Sequence, residues 1–340
     1  MRITILGAGN MGIALATVLA ANGHDTTLWS IESDVVADIT RNHRSERHLP
    51  GITLSDRISA TGDLTTLRRA RGVIMAVPSA VIAQVAQQAA ASMPKRIPVL
   101  NVAKGIDPTS CRPLANVVAA AIGRIGGSVA ALGGPAIATE FARGTPTSVV
   151  VAGRSIDTRF WRRVLQRPAF RVETSRDLLG VSWASCLKNV YAISLGMCDG
   201  MRYSMNTKAL LVTRALAEMA VLLRSARAKP ETVYGLAGIG DLMTTGFSPH
   251  GRNRKFGELI CAGEQCDIPA VLKTMTVEGV AAVEVARAWA RRKRLRLPLL
   301  DLVWRVCYRS ANPCRELTSY LRADGFGARR NGCGDESDVR

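Results

Sequence analysis

The apolar positions divide the chain into two parts of different rhythm. In the first part, short β-type runs alternate with stretches of helical period. Strands are predicted at Ile3–Leu6, Thr26–Trp29, Gly72–Val77, Pro98–Val102, Val129–Leu132 and Thr147–Ala152. Runs as apolar as Gly72–Val77 suit strands buried on both faces of a parallel sheet. Helices are predicted over Ile13–Ala21, after Pro78 with Ser79 as N-cap, and through Ala142. Such alternation argues for a doubly wound parallel sheet. From about Ser175 onward the strand signals fade. Helical patterns follow at Asp177–Gly196, Asn206–Leu223, Pro269–Lys273, Gly279–Arg292 and Leu299–Ser310. The expected division is a first domain over 1–176, a helical one over 177–322 and a loose tail over 323–340, with a cleft between the domains.

The first strand runs directly into Gly7-Ala8-Gly9-Asn10-Met11-Gly12 and then into a helix. A strand, then G-x-G-x-x-G, then a helix is the dinucleotide fingerprint in its required context. Gly7 permits the tight turn, Gly9 lets a pyrophosphate approach the backbone, and Gly12 lets the helix pack close to the strand. The helix N-terminus then faces the phosphate charge. The same spacing occurs in plain structural turns, and its place between these two elements favours nucleotide binding. The fold expected is therefore α/β, an N-terminal Rossmann-type doubly wound parallel sheet with an all-α C-terminal domain. The second strand ends in Ser30-Ile31-Glu32. An acid there would bind the ribose 2′-hydroxyl, and a nearby arginine would accept a 2′-phosphate. Neither rule is met cleanly: Glu32 is close, while Arg41 and Arg44 read equally as helix surface.

Gly235–Gly257 is a glycine-rich interruption between long helical patterns. It carries Asp241, Thr244 and Thr245 and ends in Arg252-Asn253-Arg254-Lys255. Arginine's planar fork and asparagine's amide suit an oxyanion such as a phosphate. The competing reading is a surface loop with solvated charges. Two lysines have similar alternatives. Lys104 follows a strand at the sheet edge where α/β proteins bind ligands, yet position alone does not separate a site residue from a loop lysine. Lys188 lies in a mostly apolar helix and either snorkels to the surface or is held in a site; the helix alone favours snorkelling. Arg214 and Glu218 stand one turn apart and read as an intrahelical pair.

Charge alters this picture more than size does. The 340 residues carry a net charge of +18, which admits nucleic acid, a membrane surface or an anionic small molecule as partner. The arginines are dispersed, and the densest run, Arg287–Arg296, suits a helix C-terminus. No RNP-like motif or zinc-finger spacing accompanies them, so no specific nucleic acid is expected. The eight cysteines form no Cys-x-x-Cys pair and read as free thiols in a reducing cytoplasm. The strand at Arg2–Leu6 leaves no room for a signal peptide. No membrane span is expected, because Arg214 and Glu218 interrupt the nearest candidate.

The ordered blocks GAGNMGIALA, HLPGI, AKGI, GGPAIATE, GTPTSVV, LKNVYAI, NTKALLVTRALAEM, GLAGIGDL, GRNRKFG and VEG, between Ile3 and about Ala311, resemble the soluble NAD(P)-dependent glycerol-3-phosphate dehydrogenase family of bacterial type. The resemblance implies reversible hydride transfer between NAD(H) or NADP(H) and the dihydroxyacetone phosphate / sn-glycerol 3-phosphate pair, for phospholipid synthesis. It implies no metal, and it allows a homodimer. On this likeness Lys188 matches the proton acceptor, and Lys104 a second site lysine near substrate and cofactor. Gly134, Ala136, Asn189, Asp241, Thr245, Gly251, Arg252 and Asn253 match substrate positions, with Asp241 also serving the catalytic lysine. Gly7, Gly9, Asn10, Met11, Gly12, Ile31, Lys104, Ala138, Arg252, Thr276 and Glu278 match cofactor positions. Four residues depart from the common pattern. Met11 replaces an aromatic residue, Ala136 a serine or threonine, Ile31 an arginine or histidine, and Gly251 the serine of many members. Ile31-Glu32 looks closer to NAD-preferring members. Rival readings are a dehydrogenase for another phosphorylated polyol or keto-alcohol, a basic nucleic-acid-binding Rossmann protein, and a non-catalytic nucleotide sensor.

Overall fold

The computed structural model describes residues 1–125, 127–262 and 268–323. Of the tail expected over 323–340, all but Ala323 lies outside the described residues. Eight strands form one sheet: β1 (Arg2–Leu6), β2 (Asp25–Trp29), β3 (Ile58–Thr61), β4 (Gly72–Met75), β5 (Val99–Asn101), β6 (Val129–Gly133), β7 (Thr147–Ala152) and β8 (Phe170–Ser175). Their order is β3-β2-β1-β4-β5-β6-β7-β8. Neighbours are parallel except β6 and β7, which are antiparallel, so the last two strands run against the rest. The sheet is thus the doubly wound, mostly parallel kind that the alternation predicts, with β7 and β8 reversed. The register sets Ile5 beside Leu28 and Ile74, and all three are fully buried.

Seven helices accompany the sheet or follow it closely: α1 (Asn10–Ala21), α2 (Ser33–Asn42), α3 (Ile82–Ala90), α4 (Leu114–Ile122), α5 (Ala138–Phe141), α6 (Ser155–Leu165) and the long α7 (Leu178–Gly200). The helical region continues with α8 (Met205–Ser225), α9 (Asp241–Phe247), α10 (Arg252–Cys261), α11 (Ile268–Thr274), α12 (Glu278–Arg292), α13 (Pro298–Arg309) and α14 (Pro313–Arg322). Strands β3 and β8 escape prediction for one reason. Ile-Ser-Ala-Thr and Phe-Arg-Val-Glu-Thr-Ser are polar edge strands, and their apolar runs are too short to register. Ser79 does not cap α3. A 3₁₀ turn over Ser79–Val81 intervenes, and Val81 takes the cap position without a side-chain bond.

α7 is the pillar of the helical region. It is long and apolar enough to cross a membrane, but 89% of its most apolar window is buried inside the fold. It therefore replaces the Arg214–Glu218 helix as the nearest membrane candidate, and its packing explains its composition. Asp177 caps its start by accepting from the Gly180 N–H at 3.0 Å. Glu218 on α8 reaches beyond its own helix. Its carboxylate accepts from the Tyr191 hydroxyl at 3.1 Å and from the Leu299 and Leu300 N–H groups at 2.6 and 2.9 Å. It thereby satisfies orphan donors at the start of α13. Burial pushes its pKa up to about 7, against the lowering effect of these three bonds.

Candidate active site

Two structures lie at the C-terminal edge of the parallel strands. The first is the glycine turn between β1 and α1. Gly7 has φ +117°, and a Cβ there would sit 2.7 Å from the Ala76 backbone. A Cβ on Gly12 would meet the Gly7 carbonyl oxygen at 2.0 Å, so α1 can lie this close only with glycine there. At Gly9, by contrast, a Cβ meets nothing within 4 Å, which leaves space above the turn. Gly9 is the N-cap of α1 and no side chain bonds the helix start, so its first N–H groups remain available for an anion. The residues fit a dinucleotide pyrophosphate. The turn also touches the end of β2, because the Gly7 N–H donates to the Trp29 carbonyl at 2.9 Å. Beyond Trp29, Ile31 is 84% exposed. Glu32 pairs with Arg47 at 3.0 Å and lies 3.6 Å from His48. Arg44 pairs instead with Asp38 at 3.8 Å, so Arg47 is the arginine that Glu32 meets.

The second structure is a cleft built mainly from the stretch 235–257. It is largely helical rather than an irregular loop. A π-helical turn over Leu236–Gly240, in which the Gly240 N–H donates to the Gly235 carbonyl at 3.3 Å, delivers Asp241 to the first position of α9. Asp241 is 2% exposed and bridges two ammonium groups, Lys104 at 2.5 Å and Lys188 at 2.9 Å. Lys188 also donates to Thr245 Oγ1 at 2.5 Å, and Lys104 to the Gly134 carbonyl at 3.3 Å. Lys188 does not snorkel: its ammonium ends inside the cleft. Burial lowers its pKa to about 8, with Lys104 adding to the fall and Asp241 opposing it. Burial alone would raise the Asp241 pKa, but the two lysines outweigh it and hold the carboxyl below its ordinary range.

The cleft ends at the start of α10. Gly251 is its N-cap and bears no capping side chain, so the first N–H groups of this ten-residue helix lack helical partners. A Cβ on Gly251 would lie 2.2 Å from the Thr245 carbonyl oxygen, so a side chain does not fit this turn as it stands. Asn253 is buried. It donates to Asn189 Oδ1 at 3.0 Å and accepts from the Gly279 N–H at 2.8 Å, leaving one amide N–H for a ligand. Asn189 donates in turn to Glu278 at 3.2 Å, while the exposed Arg252 lies 3.6 Å from the same carboxylate.

A cavity of about 280 Å³ collects Lys104, Ala136, Ala138, Lys188, Asn189, Asp241, Thr245, Gly251, Arg252, Asn253 and Glu278. Gly134 enters only through its carbonyl, and exposed Thr276 is not part of the lining. Gly7, Gly9, Asn10, Met11, Gly12 and Ile31 belong to the glycine turn or the end of β2. Ser248 and His250 also line the cavity and were missed. Their signal was positional, since they lie between Thr245 and Gly251. A neighbouring cavity of about 680 Å³ shares Ile137 and Thr244 but contains neither lysine.

Residues 2–158 match the family described as NAD-dependent glycerol-3-phosphate dehydrogenase N-terminus, and residues 177–318 the corresponding C-terminus. A glycerol-3-phosphate dehydrogenase (NAD(P)+) of Anaeromyxobacter sp. is 37% identical over 330 residues, covering 94% of this chain and 98% of that one. One from Agathobacter rectalis is 38% identical over 322 residues, covering 94% and 95%. The crystal structure of glycerol-3-phosphate dehydrogenase from Coxiella burnetii superposes with a TM-score of 0.88 at 32% identity, covering 95% of this chain and 99% of that one. With a glycine turn suited to a dinucleotide and a two-lysine cleft on one continuous match, the chain belongs to the NAD-dependent glycerol-3-phosphate dehydrogenase family.

Proposed function

We propose that the chain catalyses reversible hydride transfer between NAD(P)H and dihydroxyacetone phosphate, giving sn-glycerol 3-phosphate for glycerophospholipid synthesis. The observation that carries this reading is the Lys104–Asp241–Lys188 bridge beside the open start of α10. When bound, the nicotinamide supplies the hydride for C2 in the reductive direction. Gly7, Gly9 and Gly12, with the start of α1, would hold the pyrophosphate. Asn10, Met11, Ile31, Ala138, Thr276 and Glu278 complete the proposed cofactor contacts.

The protein's own contribution is proton transfer and positioning. Lys188 donates a proton to the oxygen that develops charge on C2, and takes it back in the oxidative direction. A pKa of about 8 keeps it mostly protonated near neutrality while leaving proton loss accessible. Lys104 stabilises charge on the same oxygen, and Asp241 holds both ammonium groups in place. Arg252, the remaining N–H of Asn253 and the start of α10 hold the phosphate, whose binding aligns C2. Gly134, Ala136, Asn189, Thr245 and Gly251 shape the rest of the substrate site. We assign 1–176 to cofactor binding and 177–322 to substrate binding, and place the protein in the cytoplasm. A homodimer, which the resemblance allows, would scatter light as about twice the 36.4 kDa chain.

The direct test follows nicotinamide absorbance with dihydroxyacetone phosphate, using NADH and NADPH in parallel. Turnover is expected with both cofactors. Cofactor binding without turnover of this ketone would overturn the assignment, and faster turnover of another phosphorylated ketone would move it to that substrate.

A further inference from the structure

The cleft uses few of the cations behind the net charge of +18. Six others lie along the opposite edge of the sheet. β1, β4 and β5 begin there, at Arg2, Arg71 and the pair Lys95-Arg96. β7 and β8, running the other way, end there at Arg154 and Arg176. All six side chains belong to exposed residues. Local bonds knit them into a row. The Arg71 N–H donates to the Arg2 carbonyl at 2.9 Å, the Val73 N–H to Pro98 at 3.0 Å, and the Arg96 N–H to Ile125 at 2.8 Å. The Arg154 guanidinium donates to Ser128 Oγ, and Arg176 Nε to Ser155 Oγ at 3.2 Å. Arg154 is paired with Asp157 at 3.0 Å, whereas none of the other five has a carboxylate at ion-pair distance among the described residues. At about 4.8 Å per strand, the row from β1 to β8 spans about 24 Å.

We propose that this edge docks the protein on an anionic lipid surface. Clusters of four to eight Lys and Arg read as sites for anionic lipid, and these six share one edge of a single sheet. Short connections into and out of the strands form much of this edge. The active-site cleft opens at the other ends of the strands, so it stays in water when this edge is occupied. The proposed reaction adds a chemical reason. Its product is a water-soluble phosphate ester, and the reactions that consume it by acylating its hydroxyls yield lipids.

The test is sedimentation of the full chain with vesicles of phosphatidylcholine alone or mixed with phosphatidylglycerol, at about 0.05 and 0.15 M salt. Binding is expected only with the anionic lipid, weakening as salt rises. The double variant Arg71→Glu/Lys95→Glu should lose about tenfold or more in partitioning. Arg291→Glu/Arg296→Glu, which changes net charge equally at exposed positions in and just after α12, should lose no more than about twofold. Turnover without vesicles checks folding, and Arg71→Gln/Lys95→Gln serves if the reversed pair misfolds. Equal losses in the two reversed pairs, no anionic-lipid binding at the lower salt, or tighter binding to duplex DNA at the higher salt would each overturn the proposal.

Discussion

The glycine turn and the lysine cleft recognise charge by opposite means. The turn presents backbone N–H groups, and its side chains are absent where a ligand must approach. The cleft presents three charged side chains, and in the two buried ones, Lys188 and Asp241, proton affinity is set by the charges beside them. A backbone site is indifferent to pH and sensitive to volume. A side-chain site is sensitive to both pH and deletion of a single charge.

The sharpest break in that contrast is Lys188→Ala. It should lower kcat by about 10²–10⁴-fold in a protein that still binds cofactor. Arg252→Ala should instead raise KM for the phosphorylated ketone by about 10–100-fold and harm unphosphorylated dihydroxyacetone little. Steady-state kinetics on both substrates separates the roles. Near-normal kcat in folded Lys188→Ala would return that lysine to a structural part.

The next test strikes the turn through volume. Gly12→Ala forces a Cβ against the Gly7 carbonyl and should destabilise the first domain by about 1–3 kcal/mol, with loss of cofactor binding. Gly9→Ala, placed in open space, should keep the melting temperature and weaken cofactor binding by about tenfold. Equal melting shifts would remove the distinction between packing glycine and approach glycine.

The pH profile sharpens the other side. Reduction needs Lys188 protonated, so its kcat/KM should fall as pH rises through about 8. Oxidation needs the neutral amine, so its kcat/KM should rise through the same range. Parallel profiles in both directions would exclude Lys188 as the titrating group. The smallest effect is expected at Ile31→Arg, which should improve NADPH use over NADH by a few-fold, because the neighbouring Glu32 already has Arg47 beside it. Strong NADPH preference in the unmodified protein would make Arg47 the cation that matters.

The turn was legible in the sequence because its parts are adjacent: strand, glycines and helix fall within Arg2–Ala21. The cleft was not. Lys188 and Asp241 are 53 residues apart, and Lys104 and Asp241 are 137 apart. From its helix alone, Lys188 read as a snorkelling lysine, and only the family resemblance pointed to a site. Periodicity also hid the π-helical turn before Asp241, since glycines at this density look like loop punctuation. Strands β3 and β8 failed for want of apolar length, and β7 hid its reversed direction because an apolar run has no sign.

The two lysines stand on different supports. Lys188 and Asp241 are carried by α7 and α9, whereas Lys104 rides the short loop after β5. Lys104 is one of the reasons Lys188 holds its proton less tightly. Withdrawing that loop removes a neighbouring positive charge and tightens the proton's hold; pressing it inward does the reverse. The placement of Ala103, Lys104 and Gly105 after β5 thereby sets part of the basicity of a lysine carried by a separate helix.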